Sequence, residues 1–583
     1  MRNYIKLTTI VIILAILAAG ATRWQGRLFE SILAYRSFLT NTRLVSHNPV
    51  TPQTSRVVLV IIGGLGFDAL QVANTPTLDR LRESGASALV QSEAPSYAHP
   101  TWLSLLSGVS PRFNNGLLFD IPSESTPLSP WPTLFHSAHQ QELGTGLIGP
   151  IMWRSVISAD VLHKSVYTLF DDAQGDQQLV DNLPAIIDDE TLDLLLIYFS
   201  QVDRAALTQG GLEAGDALKA IEQIDAHLDV LVRLLNLEQT TLIITADHGH
   251  IASGGYGGQD LSVLRQPMVM VGQGVVPGSY SAVNQTDIAP TITALLGLSF
   301  PAYNQGRPLI EMLQLSERQR AEIALLWTEQ QLNLAQAYLS IFGSPEPNFA
   351  DFEKAQAFYE RENFDGATQL AELLVVQAKQ MVDQAESARL AREKRLRLPL
   401  IGGLLVGLLG FSLWARSDLW WQALLTSGLI VASYHALYRL EKLPYSFSAM
   451  TDLSQLGDDI QQRMAISLLL GSIFFIILLA LRQYTDFVTV LISCAETVFF
   501  SVLGFLWPAL LGFWQYGLAI SWFFPDMGLL YLHLSGLIQA HFAIILGLGI
   551  PIIILPTNYF IQRWIAIYQH RRILQLRTRT TDP

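Results

Sequence analysis

Two apolar blocks at opposite ends of the chain constrain its fold more than anything between them. Residues 7–22 form an apolar run flanked by Arg2 and Lys6 on one side and by Arg23 and Arg27 on the other. The second block begins near Leu398 and runs almost to the C-terminus. A soluble core has no place for stretches of that length, whereas about 20 apolar residues in a helix cross the ~30 Å of hydrocarbon in a bilayer. The chain has 583 residues, 50% of them hydrophobic, and a mean hydropathy of +0.31. It reads as a multi-pass membrane protein with a large soluble region. The first run (1–23) is a membrane anchor, or a signal peptide cleaved near Ala18–Ala21.

Five C-terminal spans are expected, at 398–415, 419–438, 464–482, 486–513 and 533–556. The fourth is long enough to kink or re-enter near Trp507-Pro508. The tail, 561–583, carries Arg563, Arg571, Arg572, Arg577 and Arg579 and is expected in the cytoplasm. Five spans then leave the soluble region extracytoplasmic, as a retained anchor also would, with the plasma membrane as the expected location. Arg389, Arg392, Lys394, Arg395 and Arg397 crowd the outer side of the first span, against that rule. A helical stalk touching lipid headgroups accounts for them. Glu496 lies within a span and is a functional candidate on that ground; the plainer reading is a protonated carboxyl bonded to a neighbouring helix. His533 and His541 pose the same choice. The single cysteine, Cys494, allows no internal disulfide. The net charge of -13 lies almost wholly before residue 399. An acidic soluble region argues against nucleic acid as a partner and leaves the bilayer and other membrane proteins.

After a linker at 24–55, the region 56–315 alternates apolar runs with helical stretches. Strands are expected at 57–62, 192–199, 241–245 and 267–271, and helices at 75–84, from 101, at 213–234 and at 288–296. This alternation predicts an α/β domain with a mostly parallel sheet between helices. Residues 316–397 are rich in Ala, Glu, Gln, Leu and Arg and predict a stalk of two or more helices, broken at Gly343–Pro347. The multi-span membrane domain, 398–560, follows.

Asp247-His248-Gly249-His250 ends the apolar run Thr241–Thr245. An Asp-His pair at the C-terminal end of a buried strand, beside a turn, suits a metal. Eight residues past His248 the chain reads Gly254-Gly255-Tyr256-Gly257-Gly258, where a further imidazole would help to complete a two-metal site.

Residues 56–310 resemble the alkaline phosphatase superfamily, close to its type I phosphodiesterase/nucleotide pyrophosphatase branch. Four blocks carry the resemblance: Val57–Asp68, Pro95–Gly116, Tyr198–Gly211 and Thr245–Gly258, followed by Pro267–Gly278 and Gln285–Gly297. The resemblance implies two metal ions, usually zinc, and in-line attack on a phosphoester by a Thr or Ser nucleophile. Carried across residue by residue, it assigns seven positions. Asp203, Asp247 and His248 match metal ligands. Gly63 and Leu207 replace an Asp and a His, Ala98 replaces the nucleophile, and Tyr256 replaces the last His. Asp68 and Ser96 do not occupy the missing places. A catalytic zinc normally takes three protein ligands, and neither half of this set reaches three. The expectation is a degenerate site with no intact catalytic group and no cofactor, or zinc or another divalent metal if the site is active. Asp247 and His248 also have a plain role as hydrogen-bonding groups at a tight turn, Asp203 as a helix-start residue. His99 and His250 lie near the expected site and offer a place for a different metal. The function expected is a pseudoenzyme domain on a non-catalytic binding or scaffolding membrane protein. The alternative is a metal-dependent phosphodiesterase or phosphoethanolamine-type transferase acting on a lipid-linked substrate, as the layout of anchor, domain and spans suggests by analogy.

Overall fold

The computed structural model describes residues 1–41, 50–119, 123, 126–450 and 453–579. Its soluble region is built on β1 (Arg56–Ile62), β2 (Ala86–Gln91), β3 (Thr145–Pro150), β4 (Lys164–Thr168), β5 (Leu194–Phe199), β6 (Thr240–Ala246), β7 (Arg265–Gly272), β8 (Gly278–Ser279) and β9 (Val283–Asn284). They form one sheet in the order β4-β3-β5-β1-β6-β7-β2-β8, with β9 beside β2. β1 runs parallel to β5 and β6, while β7 is antiparallel to β6 and β2. The fold is therefore α/β with a mixed, mostly parallel sheet.

Period-2 alternation splits β1 between two cores. Val57, Leu59 and Ile61 pack with Trp102, Leu105 and Ile292 on one face. Val58, Val60 and Ile62 pack with Leu179, Leu183, Ile224 and Leu228 on the other. The register aligns Ile62 with Phe199 and with Ala246. The residues just past these three strands, Gly63, Ser200 and Asp247, therefore meet at one sheet edge, where open α/β sheets bind ligands. The expected strands and helices are present; β2, β3, β4 and the two-residue β8 and β9 lie outside the expected set. β3 (TGLIGP) carries two Gly and a Pro, and β4 (KSVYT) is an edge strand with little buried surface.

The region 316–397 is not a free spacer. Helix Glu317–Phe342 ends at Gly343, whose positive φ of 62° closes the helix. It lies against the α/β domain through Ile323 and Leu334, and Gln330 donates to Pro301 O at 2.7 Å. Phe349–Glu360 and Phe364–Ala415 follow, the latter 52 residues long, so the 397/398 boundary falls inside one helix.

Six described helices are long and apolar enough to cross a membrane: Arg2–Ala34, Phe364–Ala415, Gln455–Arg482, Phe487–Tyr516, Met527–Gly547 and Ile550–Ile573. The chain is a multi-pass membrane protein. The apolar run 533–556 is divided between two helices, broken at Leu548-Gly549. Phe487–Tyr516 is one continuous helix with Pro508 inside it, so no re-entrant turn forms there. The Arg2–Ala34 helix packs into the bundle through Ile10, Leu14, Ala21 and Leu28. Arg389, Lys394 and Arg397 of the basic cluster dock on protein, while Arg392 and Arg395 are exposed. Arg397 donates to Trp514 O and Gln515 O, the last carbonyls of Phe487–Tyr516, and pairs with Glu393. That placement suits the negative end of the helix dipole. Arg389 lies 4.3 Å over the Trp522 ring. Glu496 is buried and accepts from Ser417 N at 2.7 Å and Ser417 Oγ at 2.5 Å, tying Phe487–Tyr516 to the turn after Ala415. His541 bonds Thr22 at 2.8 Å, and His533 packs against Trp24.

Glu496→Ala leaves the Ser417 N–H without its acceptor and the Ser417 hydroxyl with Ser493 Oγ, 2.9 Å away, in place of the carboxylate. The expected cost is about 1–3 kcal/mol, read as a lower thermal midpoint of the detergent-solubilised protein; Glu496→Gln should retain most of it. An unchanged midpoint in Glu496→Ala would count against this role.

Candidate functional site

At the sheet edge, Asp247 is completely buried, and each of its oxygens takes two donors. Oδ1 accepts from Gly64 N at 2.9 Å and from His248 N at 2.8 Å. Oδ2 accepts from Trp102 Nε1 at 2.7 Å and from Tyr198 Oη at 2.9 Å. A carboxylate has about four lone-pair sites, so protein donors use all of them. Trp102 stacks on Trp153 at 4.5 Å, and Tyr198 meets both edge-on. This aromatic group encloses Asp247 Oδ2. Burial and the Asp247 charge raise the Tyr198 hydroxyl well above its ordinary pKa, so it stays a donor.

Gly63, in place of an Asp, is what admits that hydroxyl: a Cβ there would collide with Tyr198 Oη and ring carbon. Gly64 takes a φ of 74°, and a Cβ on it would press on Asp203 Cα at 2.8 Å and His250 Nε2 at 2.5 Å. Ala98 is buried at the start of helix Ala98–Ser107 and offers no nucleophile. Ser96 does not replace it, because its Oγ donates to Gly258 O at 2.8 Å. Asp68 is on the surface, 3.5 Å from Arg265. Leu207 is half-buried one helical turn past Asp203.

A second cluster does converge. Asp203 Oδ1 lies 3.0 Å from His250 Nε2 and 3.8 Å from His248 Nε2, and the three ligand atoms all fall within 4.8 Å of one another. His250 Nδ1 is 2.6 Å from Gly254 O and must donate to that carbonyl. Its Nε2 therefore faces Asp203. Held this way, a ring nitrogen is set up as a metal ligand. Asp203 Oδ1, His248 Nε2 and His250 Nε2 are each enclosed and lack an aligned hydrogen-bond partner among the described residues. Burial raises the Asp203 pKa, but contact with His250 and the nearby charges of His248 and Arg204 outweigh it, so the carboxyl is held below its ordinary value. Tyr256, in place of the last His, stacks on His248 at 4.1 Å with the rings 4° apart. The residues present do not fit a two-metal centre. Asp203, His248 and His250 have the donor types and spacing for one ion. Of the histidines offered by the sequence, His250 joins this set. His99 does not: its Nδ1 accepts from Leu117 N at 2.8 Å, and burial lowers its pKa to about 4.

The membrane domain closes over the glycine-rich rim. A Cβ on Gly255 would strike Ser448 O, and one on Gly258 would strike Ser446 Oγ and Ser448 Oγ. Gly258 N donates to Ser448 Oγ at 2.9 Å. From Tyr256, ring contacts run through Tyr97, Phe119 and Phe447 to Tyr531. Trp102 and Tyr198, which donate to Asp247, and Ser448, which accepts from Gly258 N, are contacts that sequence reasoning missed. The first two stand inside the quoted blocks, but nothing in their spacing marks them as donors to Asp247.

Residues 131–262 match the family model described as Type I phosphodiesterase / nucleotide pyrophosphatase. The soluble domain resembles that branch of the alkaline phosphatase superfamily. The chain is 27% identical over 170 residues to GPI ethanolamine phosphate transferase 1 of Schizosaccharomyces pombe, covering 24% of this chain and 18% of that protein. It is 25% identical over 291 residues to the catalytic subunit of GPI ethanolamine phosphate transferase 3 of Mus musculus, covering 44% and 26%. Murine ectonucleotide pyrophosphatase / phosphodiesterase 5 superposes with a TM-score of 0.39 at 14% identity, over 45% of this chain and 100% of that one. The chain thus spans about a fifth to a quarter of the length of these two curated relatives.

Two outcomes follow. Gly63→Asp alone should destabilise the protein by more than about 2 kcal/mol, since it overpacks Tyr198 and buries a second carboxylate beside Asp247. Pairing it with Tyr198→Ala should recover part of that loss in a denaturant melt; no recovery would count against the steric reading. His99 is neutral in the fold at a pH where an unfolded His is charged. Stability should therefore fall as pH drops from about 6.5 towards about 4. His99→Gln should flatten that part of the pH–stability profile.

Proposed function

We propose that this chain is a membrane protein of phosphoethanolamine-transferase-like layout whose soluble domain holds one divalent cation, zinc or similar, on Asp203, His248 and His250. It binds a phosphoester-bearing, lipid-linked ligand there and does not perform nucleophilic transfer. The observation that carries the reading is the convergence of three enclosed ligand atoms without aligned partners beside an Asp247 already saturated by protein donors. A bound ion would act as a Lewis acid towards a phosphoryl oxygen. The protein's own groups set its place. Gly254 O fixes the His250 ring, Tyr256 covers His248, and the Asp203 side chain is 21% exposed although its Oδ1 is enclosed. Ala98 supplies no oxygen for a covalent intermediate. The soluble domain is taken as extracytoplasmic and the basic tail as cytoplasmic, with other membrane proteins as further partners.

The second reading is a metal-dependent phosphodiesterase or transferase with a rearranged centre. The transferase relatives favour it, as does the open position that three protein ligands leave on zinc.

Metal analysis of purified full-length protein decides between them when combined with an aryl phosphodiester assay. About one zinc per chain, lost in Asp203→Asn and His250→Gln, with no turnover, is the expected result. Turnover that depends on that single ion would favour the second reading. Two ions per chain would overturn the assignment, and a metal-free protein after zinc loading would reduce the cluster to an ion pair.

A further inference from the structure

A cavity of about 100 Å³ lies where the Arg2–Ala34 helix leaves the apolar bundle and meets the soluble domain. Its wall includes Ile32, Tyr35 and Arg36 from that helix end, Arg112 and Leu117 from the soluble domain, and Phe524 from the loop before Met527. It shares no residue with the proposed cation site and does not depend on that reading.

Three features give it a chemistry. Tyr35 is 8% exposed, and its hydroxyl has no hydrogen-bond partner among the described residues. A buried hydroxyl left unpaired costs stability, so an unexplained one marks a place for a missing partner. Arg112 lies 4.7 Å over the Phe523 ring and 5.8 Å over the Phe113 ring, with no side-chain hydrogen bond among the described residues. Its ion-pair partner, Glu386, stays 3.7 Å away and already accepts from Tyr338 at 3.0 Å. Arg36 uses one nitrogen on Leu33 O and Tyr35 O, which leaves its other donors unengaged by them. Two arginines, a tyrosine and Asn115 thus line a small cavity whose other lining side chains are apolar. Guanidinium forks match phosphate oxygens in geometry.

The far end of the same helix fixes the depth. Lys6 reaches Arg416 O, at the turn after Phe364–Ala415, so Tyr35 marks the opposite end of the bundle. Ile32 and the exposed Leu33 continue the wall towards the apolar helix face. We infer that this cavity binds a phosphate oxyanion at the membrane surface, carried by a phospholipid headgroup or free in solution, with Arg112 and Arg36 supplying charge and the Tyr35 hydroxyl a hydrogen bond.

Full-length protein in detergent is tested with two probes: phosphatidylglycerol, scored as lipid retained in native mass spectrometry, and inorganic phosphate, scored as a thermal shift. The variants are Tyr35→Phe, Arg112→Gln and Arg36→Gln. Wild type should retain one phosphatidylglycerol, with affinity about 10-fold weaker in Tyr35→Phe and at least as much weaker in Arg112→Gln. Without probe, Tyr35→Phe should melt no lower than wild type, because it removes an unpaired buried hydroxyl; this separates lost binding from lost folding. Lipid retention without a phosphate shift supports the headgroup source. A phosphate shift without lipid retention supports free phosphate. Neither response, or equal responses in wild type and Tyr35→Phe, would overturn the site.

Discussion

The buried carboxylate of Asp247 is the constraint around which the ligand edge of the sheet is arranged. A charge taken out of water must be fully paired or the fold fails. Here two backbone N–H groups, an indole and a phenol supply that pairing. Each donor brings a condition with it. The phenol requires Gly63, the backbone donor at Gly64 requires a positive φ, and the indole requires the Trp102–Trp153 stack. Of the positions that depart from the family pattern, Gly63 is the one that leaves room for a donor to Asp247.

The same edge connects the soluble domain to the membrane helices. The glycine-rich stretch around Tyr256 lacks side chains where the Ser446–Ser448 turn presses on it. Tyr256 itself faces inward and stacks on His248. One short segment thus touches both the candidate cation site and the membrane domain, and ring contacts extend the connection to Tyr531. On the other side, the basic cluster around Arg397 reaches helix-end carbonyls and aromatic faces. A charge pattern that conflicts with simple topology rules has a local protein partner.

Much of the architecture was legible in the sequence. Continuous apolar runs such as 57–62 and 241–245 identify strands buried on both faces, and the long apolar blocks identify membrane helices. Gly343 gave away the break in the helical region. β3 and β4 were hidden because Gly, Pro and Lys at a sheet margin carry no period. The division at Leu548-Gly549 was hidden because hydropathy does not distinguish one span from two helices in line. At the site, the absence of groups at Gly63, Ala98, Leu207 and Tyr256 was readable position by position. His250 was legible as a candidate alongside His99; the choice between them, and the Tyr198 contact, was not, because both depend on where the rings point.

The sequence by itself indicated a multi-pass membrane chain, an α/β domain with a mostly parallel sheet, and Ala98 at the place where the resemblance implies a nucleophile. Those are properties of composition, period and residue identity at aligned places, which survive without coordinates. Only the tertiary structure decided that Asp247 is saturated, that His250 rather than His99 joins Asp203 and His248, and that a membrane turn covers the glycine rim. Each of these rests on distances of a few ångströms between residues far apart in the chain. Such distances follow from how the layers pack and are not encoded in any local pattern.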